Sequence, residues 1–345
     1  LLDPVNVTID NSSGTVGNEK VGAAIIQNSL NSGTSVTIQA DNDINVNQNI
    51  TYNQSELELN AGNNININKQ IDVTGTGGLS LVYAQTNADG NYNVNAKVNL
   101  ADGTTFKTKK GGNTQINWNI VNNATALQNM NSNKSGNYVV GSNIDLSSIP
   151  NWTAVGDNTN EFTGKFDGLG HTISNLHINN SSIDNIGLFG QTYNVDKIAN
   201  INLTNVDITG NENVGALVGT AMDTHIENVS SSGKVVGVFS VGGLVGYMIE
   251  SPVTLLKSHS SADVSGTDES IGGLVGQLDN SAIRESYATG DIIGGYNVGG
   301  LVGMSSYSKI ENSYASGNVN GDYNAGGLVG YNYDGEIENS YASGT

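Results

Sequence analysis

The stretch VGGLVG at Val241–Gly246 returns along the chain as VGALVG at Val214, IGGLVG at Ile271, VGGLVG at Val298 and AGGLVG at Ala325. In chain order the starts lie 27, 30, 27 and 27 residues apart, and a fixed period of this length predicts a stacked array of like units. A second phrase keeps step with the first. It reads IRESYATG at Ile283, IENSYASG at Ile310 and again at Ile337, with looser copies IENVSSSG at Ile226 and LLKSHSSA at Leu255.

Inside one period no apolar stripe recurs at helical spacing. Short alternating runs broken by Gly, Asn, Asp and Ser predict about three strands joined by turns. One such unit cannot bury its own apolar face, but stacked units can: Leu244, Leu274, Leu301 and Leu328 would lie about 4.8 Å apart, the strand spacing of a parallel sheet. Recurrent glycines suit corners, or places where one rung passes close to the next. The expected fold is all-β, a parallel β-helix (β-solenoid) with regular 27-residue rungs in the C-terminal half.

Composition agrees. Aromatic residues are 6% of 345 and there are 3 prolines, which suits a thin core of Val, Ile and Leu. With 32 acidic against 13 basic residues the net charge is −19, a surface that repels nucleic acid and anionic lipid. Cysteine is absent, which excludes disulfides and thiolate metal sites. No apolar run is long enough for a membrane-spanning helix, and Leu1-Leu2-Asp3-Pro4 lacks the features of a signal peptide. The chain reads as an interior fragment, with Thr345 falling within a repeat.

Three regions are expected. Residues 1–116 alternate with period two, as at Val36, Ile38; Ile44, Val46; Ile65, Ile67; and Leu79, Leu81, and form an irregular β-helix. Within them Ala23–Leu30 suits a single helical turn, and Lys107, Lys109 and Lys110 fall in a stretch that reads as a solvated loop. Residues 117–137 form an insertion with a short helix near 123–131, capped by asparagine. Residues 138–345 form the repeat solenoid, with a turn at Asp167-Gly168.

The series FTGKFDGLGHTISNL, IGLFG and the VGGLVG and IENSYASG copies resembles the GLUG-repeat family of large bacterial surface proteins. Upstream, VTIDNS, SGTSVTIQADNDINVN, LELNAGNNININ, WNIVNNATALQNM and NYVVGSNIDLSSIPNW resemble filamentous haemagglutinin-like exoproteins of two-partner secretion, of the high-molecular-weight adhesin type. The resemblance implies a right-handed parallel β-helix, secreted or surface-anchored on a Gram-negative bacterium. It also implies an outer-membrane transporter as export partner and a host-cell glycan or matrix protein as ligand.

Catalytic β-helices set unlike acids and bases side by side on consecutive coils. Here Glu227, Glu285, Glu311 and Glu338 read as one repeated row, which is a solvated outer face rather than a site. The histidines His171, His177, His225 and His259 are scattered, without ligand spacing, and read as exposed or turn residues. Asp41-Asn42-Asp43 and Asp157-Asn158 with Glu161 are acidic turns that do not follow a calcium-loop pattern. No metal or other cofactor is expected. N-x-S/T triplets at Asn6, Asn11, Asn49, Asn53, Asn123, Asn151, Asn202 and Asn228 are what an Asn-rich chain generates by chance, and no single site is assigned.

Tyr287, Tyr314 and Tyr341 share one position of the unit, behind His259 and Ser230. This row is either a stacked ladder that stabilises the solenoid or a platform for sugar rings or another protein. The first expectation is a non-enzymatic adhesin segment that mediates or supports attachment to host cells, matrix or other bacteria. The alternatives are a carbohydrate-active β-helix enzyme and the stalk of a contact-dependent toxin delivery protein.

Overall fold

A computed structural model describes residues 4–12, 19–250 and 254–345. The tetrapeptide beginning at Leu1 and the triplet beginning at Asn11 lie partly outside them. Two compact units are present. The first runs to Asn122 and takes in Asn137–Ser142 and Gly168–His171; the second comprises Asn123–Gly136, Asn143–Asp167 and Thr172–Thr345. Each is built of parallel β-coils, the expected fold.

The first unit has three sheet faces. On one, Val7–Asp10, Ile44–Val46, Ile65–Ile67 and Tyr92–Val94 stack in parallel, with Ile44 beside Ile65 and Ile65 beside Tyr92. A second carries Ile50–Tyr52, Ile71–Val73 and Val98–Leu100. The third carries Val36–Ala40, Glu56–Ala61, Gly78–Tyr83 and Thr105–Lys110. The alternation is resolved as expected: Ile44, Val46, Ile65 and Ile67 are buried while Asn45 and Asn66 between them face outward.

Those asparagines are not passive. Asn93 Nδ2 donates to Asn66 Oδ1 at 2.7 Å and Asn66 Nδ2 donates to Asn45 Oδ1 at 2.8 Å, while Asn95, Asn68 and Asn47 repeat the pattern at 2.8 and 2.9 Å. Asparagine is a poor strand former alone, but each amide here supplies the partner of the next, so the polar face is bonded coil to coil.

Two local expectations change. Ala23–Asn31 is a nine-residue helix, not a single turn, because Ala23, Ile26 and Leu30 share a buried face. Gln27 Oε1 accepts from Thr51 N at 2.7 Å and Asn31 Oδ1 from Asn53 N at 2.9 Å, so side chains i and i+4 satisfy an edge strand that would otherwise be open. Lys107, Lys109 and Lys110 lie in the strand Thr105–Lys110, not a loop. Phe106 and Thr108 point inward, and Lys107 Nζ meets Glu56 Oε2 at 2.7 Å.

In the second unit Ala124–Gln128 is helical and Asn129–Ser132 continues as a 3₁₀ turn. Asn123 Oδ1 accepts from Ala126 N at 2.9 Å, the cap read from sequence. The repeats then stack in register. Columns such as Val218, Val245, Val275, Val302, Val329 and Ile226, Leu255, Ile283, Ile310, Ile337 run unbroken. Leu244, Leu274 and Leu301 are fully buried. A coil such as that from Val298 to Ala325 has four strand segments rather than three.

Corners belong to asparagine more than to glycine. Asn200, Asn228, Lys257, Glu285, Asn312 and Asn339 form one column with φ between 47° and 58°. Asn is the non-glycine residue that best tolerates this left-handed conformation. The glycines of the repeated phrase serve close approach instead: a Cβ on Gly272 would lie 2.0 Å from Val275 O and 2.6 Å from Gly303 N. The Asp167-Gly168 turn is also displaced, because Phe166–Ser174 is one strand whose left-handed residues are Leu169 and Gly170.

Candidate functional site

The corner at Asn312 decides which side chains face outward. Ile310 is buried, Asn312 reverses the alternation at φ 50°, and Ser313 and Ala315 are then buried while Tyr314 emerges. Tyr287, Tyr314 and Tyr341 are therefore brought together as a row, with His259 ahead of them. Ring centroids are 4.5 Å apart for His259 and Tyr287, 4.8 Å for Tyr287 and Tyr314, and 5.3 Å for Tyr314 and Tyr341, all within 9° of parallel. Burial holds the His259 ring below its ordinary pKa and the Tyr314 phenol above its own. Each inner ring has a neighbour on both faces, so Tyr287 and Tyr314 present edges and hydroxyls outward. Tyr296 and Tyr323 form a second parallel pair at 4.9 Å.

Just inside the same corner runs a row that the sequence alone does not single out. Ser258, Ser286, Ser313 and Ser340 each donate Oγ to the carbonyl two residues back, at 2.7 to 2.9 Å. Each of Ser286, Ser313 and Ser340 also accepts the backbone N–H of the preceding coil's serine at 3.1 or 3.2 Å. The signal for it is the fixed Ser before each Tyr.

The glutamate row differs from its reading in the sequence. Arg284, not Glu285, shares the column of Glu311 and Glu338, while Glu285 sits at the left-handed corner with Asn312. The Arg284 guanidinium meets Glu311, and Lys309 Nζ lies 3.0 Å from Glu311, 3.2 Å from Glu338 and 3.5 Å from Glu336. Hydrogen bonds from Arg284 and Lys309 hold the Glu311 carboxyl below its ordinary pKa, and the Lys309 ammonium is pushed up in return. At the head of the row, His225 lies 3.7 Å from Glu227 and lowers that carboxyl too.

The other histidines do not converge. His171 is buried, contrary to the exposed reading, with Nε2 at 2.9 Å from Val98 O and its pKa lowered by burial. His177 Nδ1 is 3.2 Å from Asp207 Oδ2. The acidic turns use their carboxylates in structural bonds: Asp157 Oδ1 accepts from Thr159 N and Asn160 N within its own turn, and Asp43 Oδ1 accepts from Asn63 Nδ2 and Asn64 N of the next coil. Among the described residues no three His, Asp or Glu side chains gather as metal ligands.

One concavity lies on the last coils. A groove of about 440 Å³ runs between the turn column Asn280, Tyr307 and the column Ala282, Lys309, Glu336, with Arg284 also in its lining. Aligning the repeats on Ile283, Ile310 and Ile337 is the step that brings Arg284 and Lys309 to this place.

These features meet known proteins as follows. The last three coils match the GLUG motif, at residues 267–293, 294–320 and 321–345. Residues 81–233 match the M26 IgA1-specific metallo-endopeptidase N-terminal region, where the sequence alone points to two-partner-secretion exoproteins. Halomucin of Haloquadratum walsbyi is 44% identical over 90 residues, 26% of this chain and 1% of halomucin. The immunoglobulin A1 protease of Streptococcus pneumoniae is 27% identical over 227 residues, 55% of this chain and 12% of that protein. The chain thus spans a small part of each of these relatives. A crystal structure of a candidate immunoglobulin A1 protease from Bacteroides ovatus superposes with a TM-score of 0.55 at 23% identity, covering 68% of this chain and 77% of that one, and shares the fold.

Proposed function

We propose that this chain is a stiff β-solenoid segment of a large secreted or cell-surface protein that supports attachment to host cells, matrix or other bacteria. The observation that carries the reading is the unbroken register of the GLUG coils. Identical residues meet their own copies one coil on, by backbone N–H to Oγ hydrogen bonds in the serine row and by ring stacking in the tyrosine row, and a repeated surface suits spanning distance and repeated weak contact better than one-place chemistry. The GLUG matches and the likeness to parts of halomucin and IgA1 proteases support a secreted or surface setting. No catalytic role is assigned to the segment. Particles coated with the chain are expected to be retained on host cells, matrix or bacteria above albumin-coated particles. Retention equal to albumin on all three would sink the reading.

A second reading is favoured by the match over residues 81–233. Here the solenoid is a scaffold accompanying an immunoglobulin-cleaving unit, and it would bind immunoglobulin A1 in a pull-down where the attachment reading expects no preference.

A further inference from the structure

We propose that the groove on the last coils binds a neutral, linear oligosaccharide. The inference rests on the attachment reading and names its ligand class and its site. Geometry comes first. One wall is a column of left-handed turn residues, Asn280, Tyr307 and Asp334, with φ of 47°, 49° and 50°. The other is the registered column Ala282, Lys309 and Glu336. Small buried residues, Ser281 and Ser308, form the floor. The groove therefore runs across coils, meeting an equivalent set of groups about every 4.8 Å. That step is comparable with the length of one pyranose in a chain, so one sugar can face each coil. An extended peptide rises only about 3.3 Å per residue and binds solenoids by pairing with an open strand edge, whereas the groove crosses the strands and Ala282–Arg284 and Lys309–Glu311 within it are paired to both sides.

Chemistry points the same way. Tyr307 is 54% exposed and Tyr333 meets it edge-on at 89°, so it stands outside the parallel stacks that cover the faces of Tyr287 and Tyr314. An aromatic face flanked by planar amide, carboxylate and guanidinium groups is suited to a sugar, whose C–H face lies on the ring while its hydroxyls take both donors and acceptors. Asn280, Arg284, Lys309, Asp334 and Glu336 supply these. Two cations stand against two carboxylates in the lining, and both cations are already engaged by Glu311. No surplus positive charge remains for a sialyl carboxylate or a sulfate, so the saccharide is neutral.

The test is a glycan array carrying neutral, sialylated and sulfated oligosaccharides, probed with the whole chain and two variants. Tyr307→Asn removes the ring but keeps a residue that tolerates the left-handed turn, as Asn280 does; Tyr296→Ala removes an exposed ring elsewhere. Binding to neutral linear glycans is expected, weakened about tenfold or more by Tyr307→Asn and unchanged by Tyr296→Ala. Binding that ignores Tyr307→Asn, or that is confined to sialylated or sulfated glycans, would overturn the proposal. Absence of all glycan binding would overturn it as well. Retention of coated particles on cells or matrix in that case would leave the attachment reading standing.

Discussion

Arg284 and Glu311 occupy the same position on successive coils, and the guanidinium Nε lies against Glu311 Oε2. A column that would hold three like charges instead has a cation at Arg284, and Lys309 joins the two successive carboxylates Glu311 and Glu338 from the neighbouring column. Such exposed pairs contribute little singly, so the network matters chiefly by preventing repulsion along the stack.

The pH dependence follows from the sign of the shift. Glu311 titrates below its ordinary value of 4.5 when folded, held there by Arg284 and then Lys309. Its stabilisation is complete above that value and is lost as pH falls through the lower, folded one. The melting temperature of wild type is expected to exceed that of Arg284→Gln at neutral pH, and the gap should close as pH falls below 4.5 and through the lower, folded value. High salt should narrow the gap at neutral pH. A gap that widens on acidification would contradict the assignment.

Ser286→Ala removes an oxygen that accepts the Ser258 N–H and donates to Arg284 O. The stranded, buried N–H predicts a loss of about 1–3 kcal/mol in urea denaturation. Ser316, exposed one coil on, is the control, and its alanine variant should stay within about 0.5 kcal/mol of wild type. Equal effects would show that the serine row is packing, not hydrogen bonding.

The stacking was legible because identical residues recur at identical spacing, and a column such as Leu244, Leu274 and Leu301 needs only counting. The two helices differed in legibility for a physical reason. Asn123 announces its helix by a side-chain cap, whereas Ala23–Asn31 begins at Gly22 with no side-chain cap and declares itself only through burial of Ile26 and Leu30. Facing was the harder matter. Alternation assigns inside and outside only along a straight strand, and the left-handed residue at Asn312 reverses it between Ile310 and Tyr314. Glu285 read as a partner of Glu311 through a slip of one residue, since aligning IRESYATG on IENSYASG sets Arg284 opposite Glu311 and Glu285 opposite Asn312. The ligand-facing role of Tyr287, Tyr314 and Tyr341 was open in the sequence because spacing gives a row but not whether ring faces or ring edges look outward.

Gly272→Ala tests close approach against flexibility. Its Cβ would meet Val275 O at 2.0 Å, a backbone atom that cannot move without shifting a coil, so destabilisation of about 3 kcal/mol or more is expected. A Cβ on Gly112 would have nothing within 4 Å, and its φ is not left-handed, so Gly112→Ala should be neutral or stabilising by a few tenths to about 1 kcal/mol. Similar losses at both sites in urea denaturation would mean that glycine is required for backbone freedom instead.

Asp167 is fully buried, with Lys197 Nζ at 2.8 Å from Oδ2 and Asn200 Nδ2 donating to Oδ1 at 2.9 Å. A carboxylate at this depth is tolerated because both oxygens are engaged by partners on the next coil. Removing the cation alone, as in Lys197→Met, leaves a buried charge without its counter-ion and is expected to cost about 3–5 kcal/mol. Removing both charges, as in Asp167→Leu with Lys197→Met, exchanges the pair for apolar packing and should recover much of that loss. Urea denaturation of the two single variants and the double variant gives the coupling directly. If the double variant loses the sum of the two single losses, the pair is not coupled, and the stability of this coil must come from the Asn200 bond and the surrounding apolar contacts rather than from the Asp167–Lys197 charge pair.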